Sequence, residues 1–209
     1  MENKNKILVT GVIFLVILVG FLFVRSGEEK IITNYPSQGQ DIIAYGDSLV
    51  EGVGASGPQS NLVSLLSSKI GQPIVNLGVS GNTTEDGFAR LYELDKYNPK
   101  IVLLLLGGND HLRKVPIEET FINLGKIIEN IQARGAIVIL LGIKGNLFGD
   151  KFEPEFEKLR DKYHTAYVSN VLNGLFGNNK SMSDTIHPND LGYKVIADRI
   201  YPVLLKVLR

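Results

Sequence analysis

A three-layer α/β/α domain on a five-stranded parallel sheet is the fold this 209-residue chain predicts, and three observations predict it. Short apolar runs alternate with amphipathic stretches five times over, the pattern of strand–helix units joined by right-handed crossovers. Within the short runs the apolar residues are continuous instead of alternating, as expected when both faces of a sheet are covered. Polar clusters containing glycine follow the first three runs, where a doubly wound sheet places its ligand crevice, beyond the carboxyl ends of the strands at the topological switch point.

The strands are expected at residues 42–45, 74–77, 101–106, 137–141 and, more weakly, 166–168. Leu62, Val63, Leu65, Leu66 and Ile70 recur at helical spacing and mark the first helix, with Pro58 near its start. Phe88, Leu91 and Leu94 mark the second; the others are expected at about 116–134, 153–163 and 191–208. The flavodoxin-like strand order 2-1-3-4-5 puts strands one and three beside the switch point, with strand two next to strand one.

The N-terminus departs from this pattern. Residues 7–24 carry no charge and are interrupted only by Thr10, Gly11 and Gly20, and a hydrocarbon core about 30 Å thick needs roughly 20 such residues. One N-terminal transmembrane helix, a signal anchor over residues 1–25, is therefore expected. Lys4 and Lys6 on its leading side put the N-terminus in the cytoplasm and the bulk of the protein outside the membrane. A cleaved signal peptide, giving a secreted protein, is the rival reading, although the apolar run exceeds the usual h-region. Residues 26–40 read as a polar linker and residues 41–209 as a single domain, expected to act as a monomer.

Composition removes several functions. With 22 basic against 22 acidic residues, the chain offers no footprint for nucleic acid. It has no cysteine, which excludes a disulfide scaffold, thiolate zinc, a cysteine nucleophile and an acylated cysteine. Three scattered histidines without an H-E-x-x-H pattern predict no metal. Gly52-Val53-Gly54-Ala55-Ser56-Gly57 fits G-x-G-x-x-G, but no acidic residue follows at the dinucleotide spacing. It is read as a flexible loop over the site mouth, and no cofactor is expected. The P-loop-like stretch at residues 174–181 has Asn179 where the glycine before lysine belongs.

Hydrolytic chemistry must then come from Ser, His and carboxylates, and four polar clusters hold them on one rim. Gly46-Asp47-Ser48-Leu49 follows strand one, Gly78-Val79-Ser80-Gly81-Asn82 strand two and Gly107-Gly108-Asn109-Asp110 strand three, while Asp184-Thr185-Ile186-His187-Pro188 precedes the last helix. A serine hydroxyl is a poor nucleophile without an adjacent base, for which a neutral imidazole is suited. His187 is the best candidate, with Asp184 three residues earlier able to orient it. A tetrahedral intermediate also needs fixed donors; Gly81 suits a main-chain donor at a close approach and Asn109 offers an uncharged amide. Asp47 is read as a turn residue, His164 as the solvated end of a helix, and His111 as a surface histidine ahead of a substrate contact.

In order and approximate spacing, the four clusters resemble the blocks of the SGNH, or GDSL-type, hydrolases, over about residues 41–208. The resemblance implies Ser48 as nucleophile, Gly81 and Asn109 as oxyanion-hole donors together with the Ser48 amide, and His187 as base oriented by Asp184. The stretches GVSGNTTEDGFARL and GGND followed by His111-Leu112-Arg113 are most similar to the bacterial lysophospholipase, thioesterase and arylesterase branch. That branch commonly has Gly where this chain has His111, a change expected to narrow the acyl pocket. The expected function is serine-dependent hydrolysis of carboxylic esters or thioesters, on small acyl esters or lysophospholipids, by a membrane-anchored enzyme. A cell-envelope glycan O-acetylesterase and a non-catalytic membrane-tethered binding module are the alternatives. Loops at residues 52–57 and 142–152 are expected to set specificity.

Overall fold

The sheet has five parallel strands in the order β2-β1-β3-β4-β5, the expected one. In the computed structural model, which describes residues 31–143 and 151–209, these are β1 (Asp41–Gly46), β2 (Ile74–Gly78), β3 (Pro99–Leu105), β4 (Ile137–Leu141) and β5 (Ala166–Val168). Residues 32–209 form one compact unit. The apolar run at residues 7–24 lies outside the described residues, as do residues 144–150 of the expected 142–152 loop. Among the described residues no helix is long and apolar enough to cross a membrane.

Continuous apolar sequence makes the central strands. β1, β3 and β4 are buried almost throughout, and each fully buried Leu, Ile or Val contributes about 1.5–3 kcal/mol relative to exposure. β2 lies on an edge and is half-buried, with Asn76 on its exposed face. The Asn76 amide donates to the Val50 carbonyl at 2.9 Å and its oxygen accepts from Gly78 N–H at 2.9 Å, which ties the strand end to the segment after β1.

Helices cover both faces. A single turn, α1 (Ser48–Glu51), follows β1 directly. Pro58 sits in a separate 3-10 turn (Pro58–Ser60), and α2 (Leu62–Ile70) starts at an Asn61 cap whose side chain accepts from Ser64 N–H. The second helical pattern divides at Arg90. α3 (Thr84–Ala89) opens with a capping box of Thr83 and Asp86, and a 3-10 helix (Leu91–Lys96) follows. After α4 (Gly108–Leu112) come α5 (Ile117–Ala133), α6 (Phe152–Tyr163) and α7 (Asp190–Leu208). α2 packs on α7, while α3 and α6 pack on α5, giving the three layers. His164 ends α6 in the left-handed conformation at φ 50° and is exposed.

The second half of the stretch read as a linker docks on this unit. Thr33 donates to the Tyr163 carbonyl, Asn34 to the Gln132 and Ala136 carbonyls, and Ser37 to the Gly135 carbonyl, at 2.8–3.0 Å. Backbone N–H groups of Gln40 and Asp41 both reach the Asn98 carbonyl. These acceptors lie just before β3, β4 and β5, so the strap crosses the pole where strands begin. The four polar clusters lie at the pole where strands end.

Candidate active site

Ser48 is set by the turn from strand to helix. β1 ends at Gly46, and Asp47 caps α1 by accepting from Leu49 N–H at 3.0 Å, so Ser48 becomes the first residue of the turn. It is largely buried. Burial pushes the Asp47 carboxyl up to about 7, against the lowering effect of the Leu49 hydrogen bond. This acid is a cap and a buried proton holder, consistent with its structural reading.

The segment before α7 carries the imidazole. His187 Nε2 is 3.1 Å from Ser48 Oγ and His187 Nδ1 is 2.8 Å from Asp184 Oδ2. Asp184 Oδ1 accepts from the N–H groups of Ile186 and His187, each at 2.7 Å, which closes the loop on its own carboxylate. The His187 side-chain hydrogen bond, followed by its backbone hydrogen bond, holds Asp184 down at about 2. Asp184 therefore stays ionised far below neutral pH and can hold the ring with Nδ1–H toward it.

The donor groups come from the ends of β2 and β3. Val79 to Asn82 form a turn closed by Asn82 N–H to the Val79 carbonyl, and Gly81, its third residue, has φ +81°, a conformation that favours glycine. Arg113 Nη2 donates to the Gly81 carbonyl at 2.8 Å, while Ser80 N–H donates to Glu51 Oε2 of α1 at 2.5 Å. Asn109 lies in α4, and its Nδ2 donates to the Asn82 carbonyl at 2.9 Å. An amide nitrogen carries two hydrogens; this bond uses one and leaves the other for a ligand. The structure thus joins Ser48, His187 and Asp184 in one hydrogen-bonded series, and ties Asn109 to the turn that bears Gly81.

Four features differ from the sequence reading or were missed by it. The 52–57 loop, read as flexible, is fastened against the segment that bears His187. Ser56 N–H and Oγ donate to Asp190 at 2.8 and 2.6 Å, and the buried Tyr193 hydroxyl donates to the Val53 carbonyl at 2.6 Å. Gly54, at φ +93°, has no room for a side chain: one would collide with the Pro188 carbonyl and Ser183 Oγ and press on His187 Cβ at 3.1 Å. Asp110 is buried and accepts from Thr84 N–H and Oγ1, fastening α4 to α3. Arg90, given no role in the sequence reading although it lies in the family-like stretch GVSGNTTEDGFARL, is a buried guanidinium; its burial could not be told from a helical pattern that fits a surface arginine. His111 is half-buried, with its ring edge-on to Phe152 at 5.6 Å.

Known proteins resemble this chain over most of its length. A sequence model described as the GDSL-like Lipase/Acylhydrolase family matches residues 44–195. The chain is 30% identical to an arylesterase of Vibrio mimicus over 180 residues, covering 81% of this chain and 90% of that one. It is 31% identical to thioesterase 1/protease 1/lysophospholipase L1 of Escherichia coli over 132 residues, 60% of this chain and 64% of that one. The crystal structure of TesA superposes with a TM-score of 0.75 at 29% identity, over 80% of this chain and 99% of that one.

Proposed function

Because the chain belongs to the GDSL-like lipase/acylhydrolase family, and its relatives are esterases, thioesterases and lysophospholipases, we propose that Ser48 is the nucleophile of a serine-dependent carboxylic ester hydrolase. The hydrogen-bonded series Ser48 Oγ, His187 Nε2, His187 Nδ1, Asp184 Oδ2, at 3.1 and 2.8 Å, carries this reading. Ser48 Oγ attacks the acyl carbon as its proton passes to His187 Nε2, with Asp184 stabilising the imidazolium. The carbonyl oxygen becomes an oxyanion held by the free Asn109 Nδ2 hydrogen and the Gly81 and Ser48 amides. Losing one such donor typically costs about 10²–10³ in turnover. The C–O or C–S bond then breaks, and the leaving group takes the proton from His187. Water, deprotonated by His187, releases the acid and restores Ser48.

The substrates proposed are small acyl and aryl esters, thioesters and lysophospholipids, in keeping with the names of the relatives. The apolar run at residues 7–24 supports a domain held outside the membrane by an N-terminal anchor. Hydrolysis of a p-nitrophenyl series from acetate to palmitate by a chain beginning at Ile31, beside Ser48→Ala, tests the mechanism. Expected are turnover by the wild type and its loss by at least about 10³-fold in the variant. Equal rates in both would overturn the assignment of Ser48, and the chain-length profile separates an acetyl pocket from a lipid groove.

A further inference from the structure

Three chain segments that are far apart in sequence must keep sub-ångström register for the proposed chemistry: the end of β1 before Ser48, the turn bearing Gly81, and α4 with Asn109. One side chain touches the first two and reaches the third through a single intermediary. Arg90 Nη2 donates to the Gly46 carbonyl at 2.8 Å and to the Leu77 carbonyl at 2.9 Å, which spans the ends of β1 and β2. Arg90 Nε donates to Asn82 Oδ1 at 2.6 Å. The Asn82 carbonyl accepts from Asn109 Nδ2 at 2.9 Å. Nη1 pairs with Glu93 at 2.9 Å, and the guanidinium lies over the Tyr45 ring at 4.1 Å, so its charge is matched and its plane is fixed.

We propose that Arg90 is the positioning residue of the oxyanion hole: through Asn82 it aims the free Asn109 amide hydrogen, and through Gly46 it keeps the Ser48 turn in register with it. The proposal rests on the function assigned above. It assigns Arg90 no contact with substrate; its action passes through Asn82 and the backbone. A planar fork with donors in three directions is what the arrangement uses, and a lysine ammonium of equal charge cannot reproduce it. Misplacing an oxyanion donor costs transition-state binding and leaves ground-state binding in place, so the loss belongs in kcat.

The test measures kcat and KM on p-nitrophenyl butyrate, thermal melting, and inhibition by an alkylboronic acid, whose boron bonds to the serine oxygen and becomes a tetrahedral anion in the same hole. Arg90→Lys is one variant. Asn82→Leu is the second, because it keeps Arg90 and removes only its link to the hole. Expected is a fall in kcat of about 10-fold or more, with KM within about 2-fold and boronate affinity falling in parallel with kcat. Asn82→Asp, which restores an acceptor for Arg90 Nε, regains the larger part of the loss. Folded Arg90→Lys and Asn82→Leu proteins with wild-type kcat, or a loss confined to KM with boronate affinity unmoved, overturn the proposal while Ser48→Ala remains inactive. If Ser48→Ala itself turns over substrate normally, it is the functional assignment that fails.

Discussion

Asp47 shows how one side chain can serve two ends at a cost. Its oxygen caps the turn that presents Ser48, yet burial raises its carboxyl to about 7. The folded protein therefore holds this proton up to about pH 7, whereas the unfolded chain releases it near pH 4, and the stabilising difference is lost as pH rises between those values. Asp47→Asn keeps an acceptor for Leu49 N–H and cannot ionise. Melting curves should diverge in its favour from pH 4 to pH 8, and a constant or reversed difference would show that Asp47 does not titrate this way. Gly54→Ala is expected to act on His187: the added methyl group presses on the ring's own Cβ, so kcat falls by about 10-fold or more while the protein still melts cooperatively. Kinetics and a thermal scan check both parts. The residues carrying the proposed chemistry were legible only jointly: Ser, Asp and Asn after a strand are usual as caps and turns, but three such clusters at strand ends and a fourth with histidine before the last helix stand in one recognisable order. The roles of Arg90 and Asn82 were not legible, because Arg90 finds its partners in the Gly46 and Leu77 carbonyls, and Asn82 in Arg90 and Asn109, only once the chain has folded.

At the scale of elements, the central strands followed from composition alone, since an unbroken run of Val, Ile and Leu requires cover on both faces. Helices were legible in place but not always in extent. The apolar positions Phe88, Leu91 and Leu94 fit one helix, yet the chain breaks at Arg90, where the side chain is drawn down to backbone carbonyls and α3 gives way to a 3-10 helix. Glycines in the 52–57 loop suggested mobility; Ser56, Asp190 and Tyr193 fix it instead, through partners more than a hundred residues away. The strap before β1 is a further element that composition hides, because its polar side chains bond to carbonyls and not to water. Asn34→Ala leaves the Gln132 and Ala136 carbonyls without this donor. It should destabilise the domain by about 1–3 kcal/mol, read as a lower midpoint in urea, with kcat unchanged; loss of kcat at full stability would contradict a purely structural strap.

The whole molecule is polar in the geometric sense. A parallel sheet sends every strand the same way, so the residues after β1, β2 and β3 meet at one end and the strap crosses the other. Sequence reading located the chemical end because the switch-point rule needs only strand order. It could not locate the strap, whose position is set by the ends of α5 and α6. A fluorescent reporter carried by the strap, at Ser37 for instance, would therefore ride on the blind side of the domain, at the opposite end of the sheet from the proposed nucleophile, and could be read without touching the chemistry.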